Sequence, residues 1–166
     1  MSAMDALLRR APLVVLAASV AVLGAAFAFQ YLGGFEPCVL CIYQRYPYGT
    51  AIVLAVLALV LERPTAPWLL GLAALAFLVG AGIAAFHVGV EEGWWKGLEA
   101  CVGAPPSRTL SFEEALKQAQ TKPVVPCDVV TWSLLGISMA GYNVPISLGL
   151  AAFAGAAARR TRRKAA

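Results

Sequence analysis

Residues 11–32 read APLVVLAASVAVLGAAFAFQYL and contain no charged side chain. At about 1.5 Å per residue, a helix of this stretch is about 33 Å long, enough to cross the roughly 30 Å hydrocarbon core of a bilayer. Arg9 and Arg10 precede the stretch, and Pro12 suits the first turn of a helix. A cleavable signal peptide is the alternative, because Ala26-Phe27-Ala28 resembles a cleavage site, but the apolar run is long for one. We therefore predict a membrane-spanning helix.

The composition of the whole chain also indicates a membrane protein. Of the 166 residues, 60% are hydrophobic and only 13% are charged, whereas a soluble domain carries about 25% charged residues. The net charge of +4 does not indicate nucleic-acid binding, because five of the thirteen basic residues lie together in the tail Arg159-Arg160-Thr161-Arg162-Arg163-Lys164. Such a tail is typical of a cytoplasmic anchor under the positive-inside rule.

Further apolar segments follow the first one and are separated by helix breakers such as Gly33-Gly34 and Pro64. The predicted fold class is an all-α membrane protein, a four-transmembrane-helix bundle that forms a single domain over residues 1–166. The predicted spans are about 12–32, 42–61, 68–90 and 142–158.

Two predicted loops lie at the same end of this bundle, a short one at about 33–41 and a long one at about 91–141. Within the long loop, Ser111-Phe112-Glu113-Glu114 has the pattern of a capping box that opens a short amphipathic helix to about Gln120. We expect the chain to approach the membrane surface over 132–140 before the last span. Basic residues are more numerous on the side of the two termini, which predicts cytoplasmic termini and outer loops, periplasmic ones if the membrane is a bacterial inner membrane.

The four cysteines all fall in or beside these two loops. Cys38 and Cys41 form a Cys-x-x-Cys pair, and Cys101 and Cys127 lie far apart in the long loop. Four cysteines allow three pairings. A pair at this short spacing indicates redox chemistry, because so small a ring stabilises a fold little. Structural disulfides and a four-cysteine zinc site are alternatives, although the spacing is not that of a usual zinc ribbon.

Two charged or titratable residues near the cysteines, Arg45 and His87, are candidates for function. Arg45 lies four residues after Cys41 and faces the same side of a helix, where it would favour a thiolate at Cys41 or bind a negative oxygen of an electron acceptor. Arg45 could equally extend its charge to the membrane interface. His87, the only histidine, is most simply a packed or interfacial residue, and Glu91 and Glu92 are most simply solvated loop charges.

The sequence Cys-Val-Leu-Cys-Ile-Tyr-Gln-Arg at 38–45, the later Cys101 and Cys127, and Trp132-Ser133-Leu134-Leu135-Gly136-Ile137-Ser138-Met139 together resemble the DsbB family. The resemblance covers most of the chain. It implies a protein-dithiol:quinone oxidoreductase of the bacterial inner membrane that reoxidises a periplasmic, DsbA-like thioredoxin-fold partner. The electrons would pass to a membrane quinone, ubiquinone or menaquinone, and so sustain disulfide bond formation.

The resemblance also implies roles for the four cysteines, with redox-active disulfides Cys38–Cys41 and Cys101–Cys127. Cys101 would form the mixed disulfide with the DsbA-like partner. Cys127 would then be displaced as a thiolate and attack Cys38. Cys41 would become the thiolate beside the quinone.

The same resemblance implies a quinone site around the Cys-x-x-Cys pair. Arg45 would bind a quinone oxygen next to Cys41, and His87 and Met139 would lie near the ring. No metal is implied. The stretch Gly141-Tyr142-Asn143-Val144-Pro145 has no role that the sequence assigns.

Three other classes of protein are alternatives. A vitamin K epoxide reductase-like enzyme places its lone loop cysteines before the Cys-x-x-Cys pair, whereas here the order is reversed. A small exporter needs a carboxylate inside the membrane for proton coupling, and the four predicted spans contain no Asp or Glu. A membrane protein with purely structural loop disulfides is separated from the enzyme by a test of quinone reduction.

Overall fold

The structure is a computed structural model that describes residues 10–61, 64–101 and 125–165. Within these ranges nearly all regular structure is helical, as the fold class predicted. The predicted loop helix from Ser111 to about Gln120 lies outside the described residues. The helices are α1 (Ala11–Tyr31), α2 (Val39–Tyr43), α3 (Arg45–Val60), α4 (Ala66–Glu91) and α5 (Met139–Ala165), and Glu99–Cys101 forms one 3₁₀ turn.

Among the described residues, three helices are long and apolar enough to cross a membrane: α1, α4 and the segment Met139–Arg163 of α5. The short helix α2 leads into α3 through Gln44, which keeps right-handed helical dihedral angles. Helix α3 has 16 residues and is apolar over most of its length. These elements are those of a helical membrane protein.

The ends of the helices follow the residues that break or begin a helix. Pro12 and Pro67 each stand in a first turn, where no backbone N–H is needed. Gly34, which follows α1, has φ 72°, and Gly93, which follows α4, has φ 70°. This left-handed conformation favours glycine, because a side chain would meet the backbone. Both glycines turn the chain at the end of the bundle that holds the cysteines.

Small side chains form the interior of the bundle. Helices α4 and α5 share the most extensive interface, followed by α3 with α4 and α1 with α3. Alanines such as Ala55, Ala73 and Ala154 are fully buried between them, and small residues allow helix backbones to approach closely in a membrane. Large apolar residues such as Val53 and Leu75 point outward instead. This outward apolar surface suits contact with lipid.

A two-stranded hairpin precedes the last helix. Strand β1 (Ser133–Leu134) pairs antiparallel with β2 (Ile137–Ser138). Leu135 and Gly136 between them both have positive φ, the conformation of a tight hairpin turn. The hairpin was not predicted, and α5 begins at Met139, earlier than the predicted start of the last span. The ring of Trp132 packs edge-on against Phe29 at 5.0 Å, so the hairpin lies over the end of α1.

Candidate redox site

The Cys-x-x-Cys pair lies at the start of α2. Cys38 is the N-cap residue, and its sulfur accepts a hydrogen bond from the backbone N–H of Cys41 at 3.2 Å. The two sulfur atoms are 2.7 Å apart, and both cysteines are free thiols in the structure. The first turn of the helix therefore holds the two sulfurs where a bond between them can form and break.

The pKa values of the two thiols of this pair are shifted in opposite directions. The hydrogen bond from Cys41, with a further contribution from His87, lowers the pKa of Cys38 to about 5. The same contact and burial raise the pKa of Cys41. In the dithiol form, Cys38 is thus the thiolate and Cys41 keeps the proton. The protonated Cys41 differs from the expectation from sequence, in which Arg45 favours a thiolate at Cys41.

A metal is an alternative occupant, since ligand atoms of Cys38, Cys41 and His87 all lie within 4.8 Å of one another. Two sulfurs on a tetrahedral zinc ion, each at about 2.3 Å, are separated by about 3.8 Å. The sulfurs here are 2.7 Å apart, so the observed arrangement suits sulfur–sulfur chemistry better than zinc.

The second cysteine pair lies against the first. Cys101 and Cys127 form a disulfide with a Cα–Cα distance of 5.2 Å. Both are buried in one apolar cluster with Cys38, Leu40 and Val90. The structure therefore brings all four predicted cysteines together at one end of the bundle, although the two pairs are distant in the sequence.

A cavity of about 330 Å³ opens beside Cys41. It lies between α1, α3, the hairpin and the start of α5, and its walls are mostly apolar. Three of the four residues predicted to surround a quinone line it, namely Cys41, Arg45 and Met139. Phe29 and Trp132 contribute aromatic rings to the same cavity.

Arg45 is the cation of this cavity, and α1 fixes its position. Its Nη1 donates a hydrogen bond to Oε1 of Gln30 at 2.7 Å. The guanidinium group also lies over the ring of Phe27, 4.9 Å from its centroid. Gln30 was not identified from the sequence, although an uncharged polar residue near the end of an apolar span indicates a need for a partner.

His87 lies beside the two sulfurs and is not among the residues that line the cavity. It is 3% exposed, and its Nε2 is 3.5 Å from the sulfur of Cys38. Its Nδ1 is 2.9 Å from Nε2 of Gln44. The expected position of His87 near a quinone ring stays a prediction, and the structure adds a contact between its ring and the sulfur of Cys38.

The side chain of Glu91 is buried next to His87, whereas a solvated loop charge was expected from the sequence. Its side chain is 7% exposed, and Oε1 is 3.8 Å from Nε2 of His87. Ser138, at the end of the hairpin, donates a hydrogen bond to Oε2 of Glu91. The contact with Ser138 spans 47 positions, so no local signal in the sequence could have revealed it.

A helical membrane bundle with two adjoining cysteine pairs is the architecture of a membrane thiol oxidoreductase. The chain belongs to the DsbB family: the family model described as "Disulfide bond formation protein DsbB" matches residues 8–157. This confirms the resemblance that the cysteine motif indicated. The family makes the chain a disulfide-forming membrane protein and an oxidoreductase.

Several relatives carry the same name. The chain is 35% identical over 146 residues to disulfide bond formation protein B of Methylococcus capsulatus, covering 80% of this chain and 83% of that protein. It is 33% identical over 128 residues to the protein of that name in Xanthomonas campestris, covering 73% of each chain. For that of Cupriavidus necator the identity is 26% over 148 residues, covering 82% of this chain and 89% of the relative. No solved structure matches the chain.

Proposed function

We propose that the protein reoxidises a periplasmic, DsbA-like dithiol oxidase by disulfide exchange and passes the electrons to a membrane quinone. The observation that carries the proposal is the position of Cys41. Its sulfur lies 2.7 Å from that of Cys38, and Cys41 also lines the cavity. Electrons that reach the pair thus have an adjoining place for an acceptor.

The exchange begins at the disulfide of the long loop. A thiolate of the partner attacks Cys101, the Cys101–Cys127 bond breaks, and Cys127 leaves as a thiolate. Cys127 then attacks Cys38, the Cys38–Cys41 bond breaks, and the electron pair goes to the sulfur of Cys41. The shared apolar cluster supports the exchange, because it brings Cys101 and Cys127 together with Cys38.

Resolution of the two mixed disulfides leaves the partner oxidised and the Cys-x-x-Cys pair reduced. The second thiol of the partner releases Cys101, which attacks Cys127, and the Cys127–Cys38 bond breaks. The Cys38–Cys41 dithiol then holds the two electrons that the partner has lost. When Cys38 and Cys41 form their disulfide again, these two electrons leave for the acceptor.

The residues around the cavity suit a quinone. The cavity volume of about 330 Å³ lies within the range of about 300–1,000 Å³ that is common for small-ligand sites. Apolar and aromatic walls suit a flat ring, and Arg45 supplies a positive charge for an electronegative oxygen. A bound quinone accepts two electrons and two protons. Cys41 and Met139 would contact the ring, and Cys41 holds a proton that its oxidation releases.

The membrane arrangement forms part of the same proposal. Helices α1, α4 and α5 would be three of the four spans, and α3 with its flanking residues, about 42–61, would be the fourth. Arg10 and Arg159 lie at the end of the bundle opposite to the cysteines, as the helix bounds require. Under the positive-inside rule, that end faces the cytoplasm of a bacterial inner membrane. The loops at about 33–41 and 91–141 would then be periplasmic.

The test is quinone reduction by the purified protein with a reduced DsbA-like partner. We expect the absorbance of the quinone to change with the wild type and no turnover with Cys41→Ser. Cys127→Ser should accumulate a partner adduct at Cys101, and the matched variant Cys101→Ser should form none. Full activity of Cys41→Ser would refute the proposal and favour purely structural disulfides.

A further inference from the structure

A chain of amides connects the last helix to His87 along a wall of the cavity, which Gln44 and Asn143 both line. Asn143 Nδ2 donates a hydrogen bond to Gln44 Oε1 at 2.6 Å, and Gln44 Nε2 lies 2.9 Å from His87 Nδ1. Tyr48 donates its hydroxyl hydrogen to Asn143 Oδ1. Gln44 and His87 are buried, so bulk water does not compete for these bonds.

We propose that Gln44 and Asn143 are positioning residues that hold His87 with its proton on Nε2, directed at the sulfur of Cys38. The inference rests on the proposed redox role of Cys38. It gives a role to two polar residues that had none in the predictions from sequence, and it gives His87 a role toward Cys38.

The orientation of the Gln44 amide follows from a second contact. Its Nε2 also donates to the backbone carbonyl of Leu40 at 3.3 Å. A carbonyl oxygen can only accept, so the NH₂ group of Gln44 is on the side of Leu40 and His87. Its oxygen faces Asn143, whose NH₂ group donates to it. Neither amide can be reversed without placing two acceptors or two donors together.

The orientation of Gln44 in turn decides the tautomer of His87. An NH₂ group can only donate, so Nδ1 of His87 accepts and carries no hydrogen, and the proton of the neutral ring is on Nε2. Two groups near Nε2 can accept a hydrogen bond: the sulfur of Cys38 at 3.5 Å and the carboxylate of Glu91 at 3.8 Å. The contacts on the two ring nitrogens therefore agree.

This proton is useful at the step in which Cys38 leaves. When the sulfur of Cys101 attacks Cys127, the Cys127–Cys38 bond breaks and its electron pair goes to the sulfur of Cys38. The N–H of His87 then donates to the new thiolate. With the other tautomer, a nitrogen lone pair would face a negative sulfur and the Glu91 carboxylate, and the leaving group would be destabilised.

The test uses the fact that His87 is the only histidine in the chain. With ¹⁵N-labelled histidine in detergent micelles, the two ring nitrogens give one pair of signals, so the tautomer is read without assignment. At a pH where the ring is neutral, the wild type should show a protonated Nε2 and an unprotonated Nδ1. The reverse pattern would overturn the inference.

Two variants of Gln44 sharpen the test. Gln44→Glu places carboxylate oxygens against Nδ1, and since these accept, Nδ1 should become protonated. Gln44→Leu removes the donor and should leave a mixture of tautomers. Gln30→Glu is the matched control, because it makes the same change at a residue that contacts Arg45 instead, and it should leave the His87 signals unchanged. Unchanged signals in both Gln44 variants would contradict the inference.

A kinetic readout connects the tautomer to the chemistry. In Gln44→Leu, release of Cys38 from a preformed Cys127–Cys38 disulfide should slow by about two- to tenfold. Only some of the rings keep the proton on Nε2, and full loss of one hydrogen bond to a charged group is worth about tenfold. Asn143 does not contact His87, and Asn143→Ala should slow the release of Cys38 to a smaller extent. This variant tests the same positioning role if the Gln44 variants misfold. No slowing in either variant would refute the positioning role. A wild type with the expected tautomer but without quinone reduction would refute the proposed function alone.

Discussion

Gly89, two residues before the end of α4, makes possible the packing of the loop that follows. A Cβ atom at this position would overlap with the indole ring of Trp95. The indole Nε1 donates a hydrogen bond to the backbone carbonyl of Phe86 at 2.9 Å, and the two rings are stacked with their centroids 5.8 Å apart. We therefore expect that Gly89→Ala forces Trp95 off the helix.

The size of the effect follows from the contacts that Trp95 loses. Its hydrogen bond contributes about 1 kcal/mol, and stacking on Phe86 contributes about 1 kcal/mol. The higher helix propensity of alanine returns up to about 1 kcal/mol. Gly89→Ala should thus lower the free energy of unfolding by about 1 kcal/mol. Gly82, in the same helix, has nothing within 4 Å of its added Cβ, so Gly82→Ala should be neutral or raise stability by up to about 1 kcal/mol.

Reversible unfolding in mixed detergent micelles, followed by circular dichroism and tryptophan fluorescence, measures both variants. The expected difference between Gly89→Ala and Gly82→Ala is about 2 kcal/mol, the sum of the two lost Trp95 contacts. In a Trp95→Ala background, Gly89→Ala should no longer destabilise. Equal stability of the two glycine variants, or an unchanged penalty in that background, would refute the placement of Trp95.

Two further predictions concern the redox site. The hydrogen bond from Cys41 lowers the pKa of Cys38 to about 5, so in the dithiol form the Cys38 thiolate is present above pH 5 and is lost as the pH falls through about 5. The rate of alkylation of Cys38, mapped by mass spectrometry, should fall over the same pH range. Cys41→Ala should move that midpoint upward, and an unchanged midpoint would exclude Cys41 as the cause. Arg45→Ala should raise the KM for quinone by about tenfold or more, the value of a charge-assisted hydrogen bond, and leave adduct formation at Cys101 intact. Arg10→Ala, at the opposite end of the bundle, is the matched control, and an equal loss in both assays would contradict the placement of Arg45.

The sequence predicted those features that depend on local pattern. Uncharged stretches such as 11–32 specify spanning helices by length and composition alone, and α1 covers nearly all of that stretch. Arg45 and Cys41 share a cavity because a spacing of four residues places them on one side of the chain. The family was also predictable, because a cysteine motif with an arginine at fixed spacing is a local signal, and the family match confirms it.

The features that the sequence did not predict depend on contacts between distant segments. Gln44 meets Asn143 across 99 positions, and Ser138 meets Glu91 across 47. A single sequence shows that such polar side chains need partners when buried, but it does not show which partner each one meets. The hairpin was missed for a related reason: its strands have two residues each, too few to show an alternating pattern, and only Gly136 indicates the turn.

The alanine-rich contact between α4 and α5 has a consequence for how this chain tolerates substitution. Alanine loses no side-chain conformational entropy when it is buried, so the formation of this interface costs little side-chain entropy. The small size of these residues also limits substitution at the interface, because a larger side chain at Ala73 or Ala154 would separate the two helices along much of their length. Outward residues such as Val53 and Leu75 can exchange with other apolar residues freely. Sequence variation that keeps the fold should therefore concentrate on the outer surface of the bundle.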